Sequence, residues 1–160
     1  MEKNCIEEFQ TSKNFRSVSF TYNEQNYEIN ISLYSNAILV FLSYNGKISN
    51  LYELNIDINE EQERNELEFM GENEEDYIKD IDLAECILGK RGNEELDFIA
   101  NFIMTYIKDI IMKINSKITK ICLSLSLDNI FIGNLGDSNK IKDFLNIVKN
   151  NIGKIFNVVN

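Results

Sequence analysis

The sequence predicts an α+β fold: a single domain over residues 1–160 in which an antiparallel β-meander sheet packs against a long central helix and a C-terminal helix, with an acidic loop insertion at 57–82. Apolar residues alternate with polar ones through much of the first 58 residues, the period of half-buried strands. Helical spacing of apolar residues then appears twice, from Asn93 to Ile114 and from Ser138 to Ile152, with one more alternating stretch between. A chain of 160 residues has the length of one domain and can bury a core without disulfides or metals.

The elements follow in order. Val18, Phe20 and Tyr22 alternate with Ser17, Ser19 and Thr21; after a polar break from Asn23 to Asn26, Tyr27, Ile29, Ile31 and Leu33 alternate with Glu28, Asn30 and Ser32. This is the pattern of a hairpin with one buried face. Ala37 to Leu42 is continuously apolar, as expected of a central strand covered on both sides. Asn45-Gly46 is a hairpin-turn signal, because a type I′ turn needs positive φ at both central residues. Leu51 to Ile58 reads as the returning strand, which completes a four-stranded meander. Ile81 to Leu88 reads as a fifth strand ended by Gly89.

Asn93 is placed to cap the central helix, and Glu94 and Glu95 suit the positive end of its dipole. Leu96, Ile99, Ala100, Ile103, Ile107, Ile110, Ile111 and Ile114 fall on one face of it. Ile121, Leu123, Leu125 and Leu127 alternate with Cys122, Ser124 and Ser126 to give another strand. The Gly- and Asn-punctuated stretch from Asn129 to Asp137 has room for a short strand at 130–132. A last helix starts near Ser138 and buries Ile141, Phe144, Leu145, Val148 and Ile152; Gly153 weakens its end.

Charge and composition exclude several classes of function. The net charge is −10, yet twelve of the 26 acidic residues and only two of the 16 basic ones lie between Asp57 and Asp82, so the rest of the chain is balanced. A neutral body with an acidic segment matches neither a phosphate backbone nor an anionic membrane. That segment is read as a mobile, solvated loop. The chain has no His, Pro or Trp, so no imidazole base, Ser-His-Asp triad or His-ligated zinc site can be built from it. Cys5, Cys86 and Cys122 are far apart and form no CxxC, which indicates a reducing compartment. The acidic N-terminus lacks a signal-peptide pattern and no apolar run approaches the length of a bilayer span, so a cytoplasmic or nuclear location is expected.

The candidate chemical motifs are weak. Gly89-Lys-Arg-Gly92 lacks the spacing and the Lys-Ser/Thr ending of a phosphate loop and reads as a strand-to-helix turn. Gly133-Asn-Leu-Gly136 has the GxxG shape of a KH loop, but a strand-like stretch precedes it and Asp137 follows. Asp57, Asn59, Glu61, Glu63 and Glu68 mimic calcium-loop positions, with Gln62 where the turn needs Gly. No carboxylate pair is singled out for acid–base work, and no activating partner stands beside a cysteine. No catalytic residue, cofactor or metal is expected.

One feature resists a routine reading. At 100° per residue, Phe98, Phe102 and Tyr106 form a second stripe on the central helix, away from its isoleucine face. Either the helix lies between two layers, or this stripe is a partner-binding surface.

The stretch Tyr34-Ser-Asn-Ala-Ile-Leu-Val-Phe-Leu-Ser-Tyr-Asn-Gly-Lys-Ile-Ser-Asn-Leu51 resembles the second hairpin of the proteasome assembly chaperone 3 family, with its apolar strand, Gly-Lys turn and Leu-containing return. Cys86-Ile-Leu-Gly89 and the helix from Asn93 to Ile110 are similar to that family's Leu-Leu-Gly strand end and long helix. Lys120 to Asn129 and Ser138 to Ile152 resemble its next strand and closing helix. The sibling chaperone 4 family shares this architecture and is the lesser match. The resemblance implies a small α+β protein without enzymatic activity. It implies pairing with a structurally similar chaperone 4-like protein, or homodimers where that partner is missing. The pair would support formation of the α-subunit ring of the 20S proteasome core, engaging α subunits, notably the fifth, and leaving before maturation. The acidic 57–82 segment and the 129–137 stretch depart from the family pattern as insertions. The competing expectation is a generic interaction or scaffold domain with a weak divalent-cation site in the acidic loop.

Overall fold

Short polar turns fold the first strands back on one another. Asn23 and Glu24 both take positive φ (48° and 63°), so two residues suffice to turn β2 (Phe15–Tyr22) into β3 (Gln25–Leu33), with Tyr22 directly across from Gln25. β4 (Ala37–Tyr44) returns beside β3, and β1 (Glu8–Thr11) adds to the other side of β2. The remaining described elements are β5 (Asn50–Asn55), β6 (Glu85–Leu88), α1 (Glu94–Lys113), β7 (Lys120–Leu125) and α2 (Ser138–Asn157). This computed structural model describes residues 8–11, 14–56, 83–114, 117–127 and 138–157. The acidic segment 57–82, the calcium-loop-like positions in it, the stretch read as a strand at 130–132 and the GxxG at 133–136 lie outside the described residues.

The α+β class holds, and the strand order differs from a plain meander in one place. The sheet runs β1-β2-β3-β4-β7-β5-β6. β7 enters between β4 and β5, parallel to the first and antiparallel to the second, which makes the sheet mixed. The Asn45-Gly46 turn forms as its residues dictate, with φ of 48° and 70° and a 3.0 Å bond from the Lys47 N–H to the Tyr44 carbonyl. The bridge it closes is only Tyr44 to Lys47. The chain then passes the end of β7 before β5 starts, so a local hairpin signal sits in a connection that skips one strand.

One face of the sheet carries the core. Val18 and Phe20 of β2, Ile29 and Ile31 of β3, Val40 and Leu42 of β4, Leu123 and Leu125 of β7 and Tyr52 and Leu54 of β5 are all buried on it. Both helices cover this face. α1 contributes Leu96, Ile99, Ala100, Ile103, Met104, Ile107 and Ile111, and α2 contributes Phe144, Leu145, Val148, Ile152, Ile155 and Phe156. The expected stripe on α1 is thus borne out except at its end, where Ile110 is half-buried and Ile114, the C-cap, is exposed. The cap itself is as expected, with the Asn93 side chain accepting from the Leu96 N–H at 3.2 Å. α2 runs through Gly153 and ends four residues later, its last turn held by Ile155 and Phe156. A Cβ on Gly153 would come within 3.1 Å of the Tyr106 hydroxyl, so the glycine marks close helix approach more than a weak end.

Gly89 is required by its surroundings. Its φ is +110°, and an added Cβ would meet the Asn50 side chain and lie 2.9 Å from the Asn50 Cα. Gly89→Ala is therefore expected to cost about 2–3 kcal/mol in a chemical-denaturation measurement. Gly46→Ala has the same positive-φ penalty and meets open space, so it should cost less.

Candidate functional site: the open face of the sheet

The side chains of the other parity form the second face, and no described element covers it. Two rows cross it. Asn30, Phe41, Ser124, Leu51 and Leu88 stand directly across from one another on β3, β4, β7, β5 and β6. Ser32, Leu39, Cys122, Glu53 and Glu85 form the next row. The middle of this face is apolar: Leu39, Phe41 and Leu51 are half-buried, and Leu88 at the β6 edge is 65% exposed. The β2–β3 side is polar, with Ser17 donating to the Glu28 carboxylate at 3.0 Å. Among the described residues, the continuous apolar run at Ala37–Leu42 is therefore covered on one side only. Ile38, Val40 and Leu42 are buried under the helices, while Leu39 and Phe41 face outward. Among the described residues the expected cover on the second side is not found, because both described helices take the same face.

Ions on the open face are sparse and unequal. Lys120 pairs with Glu53 at 3.0 Å. Glu85, directly across from Glu53, is exposed, and among the described residues no cation pairs with it. Burial pushes the Cys122 thiol up and the neighbouring Glu53 carboxylate adds to the effect, with Lys120 opposing them. A thiol held protonated in this way is a poor nucleophile.

The aromatic stripe of α1 is divided by the fold. Phe98 is 58% exposed and points away from the sheet. Phe102 and Tyr106 are partly buried against the core. Tyr106 sits at the seam with α2, its hydroxyl beside Gly153 and the Lys149 ammonium 5.0 Å above its ring.

A polar network joins β5, the 89–92 turn and α1. The Asn50 amide donates to the Lys90 carbonyl at 3.0 Å and accepts from the Lys90 N–H at 3.2 Å. The Tyr52 hydroxyl donates to Asp97 at 2.9 Å, and Asn101 accepts from the Ala84 N–H at 2.7 Å. Gly89-Lys-Arg-Gly92 is thus a strand-to-helix turn, as its residues suggest, braced by a buried asparagine. Burial pushes the Tyr52 phenol above its ordinary value; the Asn50 bond opposes this and Asp97 adds to it. The sign follows: the folded state resists ionisation of Tyr52 while the unfolded chain ionises it near pH 10. Stability should fall as pH rises above about 10, and Tyr52→Phe should flatten that alkaline limb in thermal melts against pH. At neutral pH the same variant should lose about 1–3 kcal/mol, because the Asp97 carboxylate loses a donor.

Among the described residues no three Cys, Asp or Glu side chains could hold a metal ion. An open depression of about 400 Å³ on the β2–β4 side is lined by Ser19, Thr21, Asn26, Ser43 and Asn45, with Glu28 its one carboxylate. Among the described residues no helix is long and apolar enough to cross a membrane.

Among the described residues these features define a class: a mixed, open sheet with its helices on one face and an apolar patch at the centre of the other. No protein-family model matches the sequence, and no curated protein matches it. The fold does match a chain of a chaperone complex for yeast 20S proteasome assembly, with a TM-score of 0.59 over 89% of this chain and 98% of that one at 16% identity. The two chains share a fold.

Proposed function

We propose that this protein is a non-enzymatic chaperone subunit that pairs with a small protein of similar fold and assists assembly of the α-subunit ring of the 20S proteasome. The open face of the sheet is its pairing surface. The observation that carries this reading is the outward-facing cluster of Leu39, Phe41 and Leu51 on a sheet whose two described helices lie on the opposite side. A sheet with two apolar faces is stable in water when both are covered, and a second sheet covers such a face at a spacing of about 10 Å. The fold shared with a proteasome-assembly chaperone complex supports the same reading, as does the chaperone 3-like pattern of Tyr34–Leu51. The partner is a chaperone 4-like protein, the clients are α subunits, notably the fifth, and the site of action is the cytoplasm and nucleus. Phe98 is a second contact, on the far side of the molecule from the sheet face, with Phe102 and Tyr106 behind it. Alanine at Phe98 should weaken client binding at unchanged thermal stability.

Affinity capture of the full chain from native extract, read by mass spectrometry, tests the proposal. Recovery of α-type proteasome subunits together with one small protein of similar fold is expected. Recovery of the chain with neither would overturn it, as would substrate turnover by the purified chain that disappears when one side chain is trimmed.

A further inference from the structure

The open face is electrically one-sided. Glu28, Glu53 and Glu85 lie on it, and Lys120 is the one cation among the described strand residues of that face. Lys120 neutralises Glu53. Glu85 stands directly across from that same carboxylate without a cation among the described residues. Glu28, on the other side of the apolar centre, is bonded among the described residues only to a neutral donor, the Ser17 hydroxyl. Two carboxylates with no cation partner among the described residues therefore bracket Leu39, Phe41 and Leu51.

This arrangement discriminates between partners. Packing two copies face to face brings four such carboxylates into one partly desolvated layer, where screening is weaker than in bulk solvent and like-charge juxtaposition is costly. A hydrophobic centre alone does not select against self-association, because it is complementary to itself. The carboxylates around it do, and they favour a sheet that brings cations to the same positions. Resting on the pairing role proposed above, we infer that the face is built to take a different sheet, apolar at its centre and net positive around it, in preference to a second copy of this chain.

Sedimentation of the full chain tests this, with a charge-reversed copy, Glu28→Lys/Glu85→Lys, standing in for the partner. That double change leaves the Glu53–Lys120 pair intact. Circular dichroism and thermal melts establish that the variant folds, and Glu85→Lys alone, at an exposed position, serves if the double variant does not. In low salt the mixture of wild type and variant should associate at least about tenfold more tightly than either protein alone, and high salt should close the gap. Wild type that self-associates as tightly as the mixture would overturn the inference. A third arm carries Leu39→Thr/Phe41→Thr in both components. Association that needs Leu39 and Phe41 but ignores the charge reversal sinks this inference and leaves the pairing surface standing. Association that survives the loss of both side chains sinks the pairing surface as well.

Discussion

Replacing Phe144 by alanine is expected to lower the stability of the folded chain by about 3–5 kcal/mol, measured by chemical denaturation. The side chain is fully buried. Its ring lies 5.1 Å from that of Tyr27, 5.4 Å from Tyr22 and 6.3 Å from Phe20, and Phe20 stacks on Tyr27 at 5.5 Å. Truncation therefore removes three aromatic contacts, each contributing about 0.5–1.5 kcal/mol beyond area burial. The site has little freedom to collapse into the gap. α2 is tied to β2 at both ends, by the Tyr22 hydroxyl on the Lys140 carbonyl at 3.0 Å and by Arg16 on the Ile155 carbonyl at 2.7 Å. A domain of this size has about 5–15 kcal/mol in all, so this one ring accounts for a large fraction. Lys142→Ala on the exposed side of the same helix should change stability by no more than about 0.5 kcal/mol. A loss below about 1 kcal/mol for Phe144→Ala would mean that the aromatic cluster does not anchor α2.

That cluster shows what sequence patterns reveal and what they do not. Helical spacing places Phe144 on the buried stripe of α2, and alternation places Phe20 and Tyr27 on one face of a hairpin. Neither pattern says that these residues meet, because the meeting depends on which strands α2 crosses. Strand order was hidden for a related reason. Asn45-Gly46 is a sound local signal for a tight turn, and the turn forms; whether the next strand pairs with β4 is decided 75 residues later, when Lys120–Leu125 fills that position. Gly153 reads as a helix weakener only while its neighbour is unknown, and the approach of Tyr106 gives it another meaning. The open face was legible in outline. An unbroken apolar strand such as Ala37–Leu42 calls for cover on both sides, and the fold places both described helices on one. The aromatic stripe Phe98, Phe102 and Tyr106 is real as a helical pattern, and the fold then separates an exposed member from two that pack.

Leu39→Thr/Phe41→Thr is expected to leave the chain folded and to weaken pairing with the captured partner by at least about a hundredfold, the loss of two hot-spot side chains at the centre of an interface. Threonine is chosen because it keeps the strand preference of the positions it replaces, so a change in binding is not a change in strand formation. Both residues point away from α1 and α2, so the melting behaviour should stay close to that of the wild type. This contrasts with Phe144→Ala, which should unfold the chain early and reduce pairing only through the folded fraction. Isothermal titration or surface plasmon resonance against the partner, with thermal melts of each variant alongside, separates the two. Binding lost with the fold intact places the interface on the open face. Binding retained by a folded Leu39→Thr/Phe41→Thr protein moves the interface elsewhere, and Phe98, exposed on the opposite side of the molecule, then becomes the position to truncate.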